Sequence, residues 1–225
     1  MMTGALEIRA AGETLVLLPQ RALLWPAMSM LVIADIHFGK AASFRAQGIP
    51  VPRGTTTENL EMLEMLVDAT GATRLLFLGD FLHARHAHAA ATMAALGDWR
   101  ARHRGLELTL VRGNHDSHAG DPPAHLDIAV VDEPYQVGPF IFAHHPQSHP
   151  QGYVLAGHVH PVYRLAVRGD SLRLPCFLFG QDSAVLPSFG AFTGGYPVSP
   201  AERDRLFLAT PDRVIELSAR ALSAQ

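Results

Sequence analysis

A chain of 225 residues that is 48% apolar is long enough for one large domain with a sizeable core, and too apolar to be disordered over most of its length. Its net charge of −3, with histidine neutral, excludes strong bulk attraction to nucleic acid or an anionic membrane, and a sole cysteine, Cys176, excludes an intrachain disulfide or a thiolate metal cluster. No run approaches the ~18 apolar residues of a membrane span, and the first residues lack a signal peptide's basic start and apolar core, so a soluble, cytoplasmic protein with no membrane partner is expected.

Residues 14–18 and 22–25 are apolar runs around a short polar break and predict a hairpin or two edge strands. Residues 30–35 form an apolar run closed by Asp35 and predict the first central strand. Residues 36–54 hold Gly39, Gly48, Pro50 and Pro52 and read as a structured loop. Thr55-x-x-Glu58 has the spacing of a capping box; Leu60, Leu63, Leu66 and Val67 then recur at helical spacing until Gly71. Residues 75–80 are the stretch around which the rest is organised: four apolar residues, then Gly79 and Asp80. Such a run predicts a strand buried on both faces, with Asp80 at its carboxyl end, where open α/β sheets place ligands.

Residues 87–104 are rich in alanine and predict a second helix, ending near Gly105. Residues 106–111 predict a third strand, running into Arg112-Gly113-Asn114-His115-Asp116. Strand and helix alternate, which implies a parallel α/β layer. Beyond this point short strand candidates follow at 128–131, 136–143, 153–156, 162–167, 171–179, 206–209 and 214–217. Few helical patterns remain, so a second, more antiparallel sheet is expected to pack on the first. Residues 189–200 read as an ordered loop, and with no linker or repeat, residues 1–225 read as one domain.

Five stretches carry the chemistry: Asp35-Ile36-His37, Gly79-Asp80, Gly113-Asn114-His115-Asp116, His144-His145 and Gly157-His158-Val159-His160. Each lies at or just after a predicted strand end, and each supplies carboxylate oxygen, amide oxygen or imidazole nitrogen. In D-x-H and H-x-H spacing, alternate residues of an extended chain point to one side, so two ligands reach one ion. A lone aspartate at a strand end is usually a cap, and a lone histidine a satisfied polar group; five such stretches together point to a metal site.

This ordered set, over residues 35–160, resembles the calcineurin-like metallophosphoesterases. The resemblance implies an α/β fold in which a two-sheet β-sandwich is flanked by helices in αββα four-layer order. It implies two divalent metal ions: the first on Asp35, His37 and His160, the second on Asn114, His144 and His158, with Asp80 bridging them. Two such cations about 3.5–4 Å apart clamp a phosphate and acidify the attacking water. His115 is expected to face the phosphate and to stabilise or protonate the leaving oxygen, with Asp116 accepting from its other nitrogen. Either His144 or His145 could ligate; His144, directly after the strand end, fits the family position better. Nitrogen and oxygen ligands without sulfur suit several first-row metals, and the resemblance points to Mn²⁺.

A longer pattern adds Gly39-Lys40-Ala41, Phe44-Arg45, Gly48, Pro50-x-Pro52, Gly79-Asp80-x-x-His83-x-Arg85, Glu133-Pro134-x-x-x-Gly138-Pro139, Gly152-Tyr153 and residues 189–195. It is similar to the small bacterial ligase-associated DNA-damage-response endonucleases. That similarity implies a phosphodiesterase and endonuclease of DNA repair, acting preferentially on single-stranded DNA, in functional association with a DNA ligase and a helicase. Lys40, Arg45, Arg53, His83, Arg85 and His86 are candidate contacts to flanking phosphates, and Phe38 or Phe44 could stack on a base. The alternative is a phosphatase or phosphodiesterase for a small nucleotide-like substrate, separated from a nuclease by a closed pocket against an open groove. A scaffold that kept the fold and lost the chemistry would have lost ligands, and all seven metal positions are present.

Overall fold

The computed structural model describes residues 2–51, 54–167 and 170–217. Two sheets stack face to face. In the first, seven strands lie in chain order: β1 (Leu6–Ala10), β2 (Glu13–Leu18), β3 (Ala22–Trp25), β4 (Met30–Ala34), β5 (Arg74–Leu78), β6 (Glu107–Val111) and β7 (Ile128–Val131). β1 to β4 pair antiparallel and β4 to β7 pair parallel. The crossovers hold α1 (Lys40–Ala46), α2 (Thr55–Thr70), α3 (Ala90–Arg102) and α4 (Asn114–Ala119).

The central strands are buried on both faces, and the two-residue period of a strand divides that burial. Leu31 and Ile33 of β4 and Leu75 and Phe77 of β5 face α2 and α3, in one core with Leu60, Leu63, Leu96 and Trp99. Val32, Ala34, Leu76 and Leu78 face the other way, in a second core with Phe140, Phe142, Leu155 and Phe177. A polar residue in either run would be desolvated on one side or the other, which is why the runs are unbroken. Each large side chain so buried contributes roughly 1.5–3 kcal/mol.

The second sheet holds β8 (Tyr135–Val137), β9 (Phe140–Ala143), β10 (Tyr153–Ala156), β11 (Pro161–Val167), β12 (Asp170–Phe179), β13 (Ser183–Val185), β14 (Tyr196–Pro197), β15 (Arg205–Ala209) and β16 (Val214–Leu217). Its order is β14-β11-β12-β13-β10-β9-β8, with β15 on β12 and β16 on β15. β9, β10 and β13 run parallel; the long β11–β12 hairpin and β15–β16 are antiparallel. No helix among the described residues is long and apolar enough to cross a membrane.

The fold class is the expected one, with differences in detail. Residues 36–54 are not all loop, because α1 begins directly after Gly39, whose φ of 75° starts the turn. Its seven residues are too few for a visible apolar period. The capping box at Thr55 is not formed: Gly54 is the N-cap, at φ 105°, so Thr55 already sits inside the first turn. Residues 136–143 split at Gly138 into the β8–β9 hairpin, and β1, β13 and the two-residue β14, inside the 189–200 stretch read as loop, are strands the sequence did not announce. Among the described residues, α2 and α3 pack on the first sheet, while the clusters on the far face of the second are built from strand residues such as Ile141, Val154, Cys176 and Leu208. Among the described residues no α-helix follows Ala119.

Candidate metal centre

The five motifs meet at one end of the sandwich, where β4, β5 and β6 of the first sheet and β9 and β10 of the second all stop. The chain turns sharply there. Asp35, His37, Asp80, His158 and His160 all hold left-handed backbone, with φ from 50° to 67°. That conformation costs a non-glycine residue about 1–2 kcal/mol, and strain gathered at one place marks a functional site. Glycines supply the room. A Cβ on Gly79 would lie 2.2 Å from His144 Nδ1, and one on Gly113 would lie 2.4 Å from Asp80 Oδ1.

Two groups of ligating atoms share Asp80. On one side, His37 Nε2 lies 3.4 Å from His160 Nε2 and 3.7 Å from Asp80 Oδ2, and His160 Nε2 is 3.5 Å from Asp35 Oδ1. On the other, His144 Nε2 lies 2.8 Å from Asn114 Oδ1, 3.1 Å from His158 Nδ1 and 3.4 Å from Asp80 Oδ1. One oxygen of Asp80 thus serves each group. Asp35, His37, Asp80 and His144 are all buried.

Hydrogen bonds on the far side of the rings fix which nitrogen is free. His144 donates Nδ1–H to the Leu78 carbonyl at 3.1 Å, and His160 donates Nδ1–H to that of Gly194 at 3.2 Å. A carbonyl only accepts, so in the neutral rings Nε2 carries a lone pair that points inward. The Nε2 lone pairs of His144 and His160 thus join the Asp35, Asp80 and Asn114 oxygens and the His37 and His158 rings at 2.8–3.7 Å in two acceptor-rich groups. Nitrogen and oxygen donors gathered at these distances fit a divalent cation in each half. Burial, with Lys40 and the neighbouring histidines, pushes the His37 pKa far down, and burial lowers that of His158, so both rings are neutral and ready to ligate.

The profile of the calcineurin-like phosphoesterases matches residues 28–165. The chain belongs to the calcineurin-like phosphoesterases. Its fold is one that uses a dinuclear metal site, and the chain is a metal-dependent phosphoester hydrolase. Among solved structures it is similar to the Pseudomonas putida nuclease MPE, at 48% identity over 95% of this chain and 100% of that one, with a TM-score of 0.85. It also matches Yfce, a phosphoesterase from E. coli, at 16% identity over 84% of this chain and 98% of that one; with a TM-score of 0.42 this likeness carries no argument. No curated protein matches.

The rest of this phosphoesterase site divides the remaining candidates. His115 sits at the rim with 38% of its side chain exposed, its Nε2 4.0 Å from Asp80 Oδ2. Its Nδ1 donates to the His83 carbonyl at 2.7 Å, not to Asp116. The expected Asp116–His115 contact is not made. Asp116 is buried and accepts from the N–H groups of Leu82 and Gly113 at 2.9 and 3.0 Å, so it ties the Asp80 turn to the Asn114 turn. Burial raises its pKa, against those two N–H donors. His83 is partly buried between two site histidines: its Nδ1 is 3.4 Å from His37 Nδ1, and its ring stacks on His115 at 4.9 Å. Burial first, then Lys40 and His115, lower its pKa to about 4. Lys40 is half-buried beside the site; burial lowers its pKa, and Asp80 and Asp35 oppose that. Arg45 and Arg85 are exposed on α1 and on the turn Arg85–His88, as is His86. Phe38 is 1% exposed against Phe81 and has no face for a base; Phe44 is partly open. Pro52 and Arg53 lie outside the described residues.

Two parts of the site carried no readable signal of their role. Glu133 clasps the His144–His145 turn, accepting from both N–H groups at 2.6 and 2.9 Å and from His145 Nδ1 at 2.7 Å. The loop that begins at Ser188 clasps the Asp35 turn: Ser188 Oγ donates to the Asp35 carbonyl at 2.8 Å, and Phe189 N–H to that of Ala34 at 2.8 Å.

Proposed function

We propose that the chain is a dinuclear-metal phosphodiesterase that cuts DNA, single strands in preference to duplex, in DNA repair. One observation carries the chemistry: two acceptor-rich groups that share Asp80, open to solvent on the His115 side. The near full-length likeness to a nuclease supports the choice of a nucleic acid. Asp35, His37 and His160 would hold one cation and Asn114, His144 and His158 the other. When bound, the pair clamps the phosphate and lowers the pKa of the attacking water. His115 gives Nδ1–H to a carbonyl, which leaves Nε2 facing the open side; in the imidazolium form that nitrogen carries a second proton, which it would pass to the leaving oxygen, ending as the neutral ring. Mn²⁺ is the proposed metal, a DNA ligase and a helicase the proposed functional partners, and the cytoplasm the proposed location.

The test is hydrolysis of a single-stranded oligonucleotide, its duplex and a mononucleotide side by side, across Mn²⁺, Mg²⁺, Co²⁺, Ni²⁺ and Zn²⁺. The expected order is single strand, then duplex, with Mn²⁺ most effective. His37→Ala and Asp80→Ala should abolish cleavage of DNA and of bis-p-nitrophenyl phosphate alike. Turnover of the mononucleotide alone would place the chain with the small-substrate phosphatases; activity retained in either variant would refute the ligand assignment.

A further inference from the structure

We propose that Phe192 and Phe44 form a stacking subsite for one unpaired nucleobase, next to the His37 half of the metal centre. This rests on the nucleic-acid reading above and adds to it the group that selects single strands. A continuous line of rings leads from the centre to the surface. His37 and His83 have centroids 5.2 Å apart, His83 and Phe44 5.7 Å, and Phe44 and Phe192 5.9 Å at 77°. At its outer end Phe192 is 38% exposed, while Phe189, three residues earlier in the same loop, is 2% exposed.

That exposure belongs to a fixed loop. Ala191 N–H donates to Asn59 Oδ1 at 3.0 Å, Thr193 Oγ1 donates to the Gly190 carbonyl at 2.9 Å, and the Gly194 carbonyl holds His160. The loop that aims a candidate metal ligand therefore also aims the aromatic side chain, and base and phosphate are placed by one element. A small recess bounded by His37, Lys40, Thr55, Thr56, Phe192 and Thr193 separates the ring from the centre. Lys40, the chain's only lysine, borders that recess and puts a cation near the phosphate on the same side.

Charge on the far side of the loop agrees. Arg164 of β11 and Arg173 of β12 are direct cross-strand partners, both exposed. Like charges so placed destabilise a strand pair, and a polyanion passing over them would offset that. Arg173 also donates to the Gly195 carbonyl at 2.7 Å, so the pair adjoins the loop. A base in a duplex keeps both faces against its neighbours and cannot use the ring; an unpaired base can.

The test compares wild type, Phe192→Ala and Phe192→Trp on three Mn²⁺-supported substrates: a single-stranded oligonucleotide, the same strand made abasic throughout, and the duplex. Losing one base stack should raise KM for the normal single strand roughly 5- to 150-fold with kcat little changed, and the penalty should shrink to about twofold or less on the abasic strand. Phe192→Trp should restore the wild-type KM, because the indole offers the same face. Equal KM values for wild type and Phe192→Ala on the normal strand, or an equal penalty on the abasic strand, would overturn the subsite while leaving the nuclease reading in place. A wild-type enzyme that cuts none of the three overturns the nuclease reading, and the subsite with it.

Discussion

Glu133 uses both carboxylate oxygens on two consecutive residues, one on the backbone N–H groups of His144 and His145 and the other on the His145 ring. Burial alone would raise its pKa, but the His145 ring and the two N–H donors bring it below the usual value, so it stays an anion. Alanine removes both acceptor oxygens and leaves the two backbone N–H groups without their partner. Glu133→Ala should therefore release the His144 turn and weaken metal affinity about 10- to 100-fold, read as the Mn²⁺ concentration that half-restores activity of stripped enzyme. His145→Ala leaves both backbone bonds in place and should shift that midpoint far less than His144→Ala. Should Glu133→Ala and wild type titrate alike, the clamp has no such role. Sequence spacing could not choose between the two histidines, since both follow β9. Burial is in keeping with the proposal of His144, whose side chain is 0% exposed against 45% for His145.

Elements were legible where their burial was extreme. β4 and β5 announce themselves as unbroken apolar runs because both faces are covered, and each run is followed by a carboxylate, Asp35 or Asp80, where the candidate ligands gather. α1 was hidden because it is short, and the role of Asp116 was hidden because the N–H groups it accepts come from Leu82 as well as its own turn. The close meeting of the two sheets was hidden in the same way. Gly157 ends β10, and a Cβ on it would lie 2.7 Å from Asp35 Oδ2 and 3.0 Å from the Leu78 carbonyl, both from the first sheet. Gly157→Ala should displace the Asp35 carboxylate and lower kcat/KM more than tenfold, with an overpacking cost of about 1–3 kcal/mol, or roughly 2–12 °C in Tm. Gly105→Ala has nothing within 4 Å of the new Cβ and should leave both quantities nearly unchanged. Matched activities for these two variants would show that glycine at 157 is not what sets the carboxylate.

Across the whole molecule, the candidate ligands come from both halves of the sandwich: Asp35, His37, Asp80 and Asn114 follow strands of the first sheet, and His144, His158 and His160 follow strands of the second. Cations held by all of them would join the sheets at one end, where the metal-free chain has facing acceptors. Metal should then stabilise the fold as a unit. At a concentration 100 times its dissociation constant, a ligand bound only by the folded state adds about 2.7 kcal/mol, or roughly 5–11 °C in Tm for a chain of this size. Cys176 provides an independent reading. It lies on β12, 0% exposed, packed in one cluster with Tyr163, Leu206 and Leu208, and burial pushes its thiol up to about 12. Such a thiol reacts only when the second sheet opens. If the metal joins the sheets, saturating Mn²⁺ should slow labelling of Cys176 about 100-fold relative to chelated enzyme, the same factor that the Tm shift implies. A Tm rise without slower labelling would mean that the second sheet opens by itself and that the ligands do not bind the two halves into one cooperative unit.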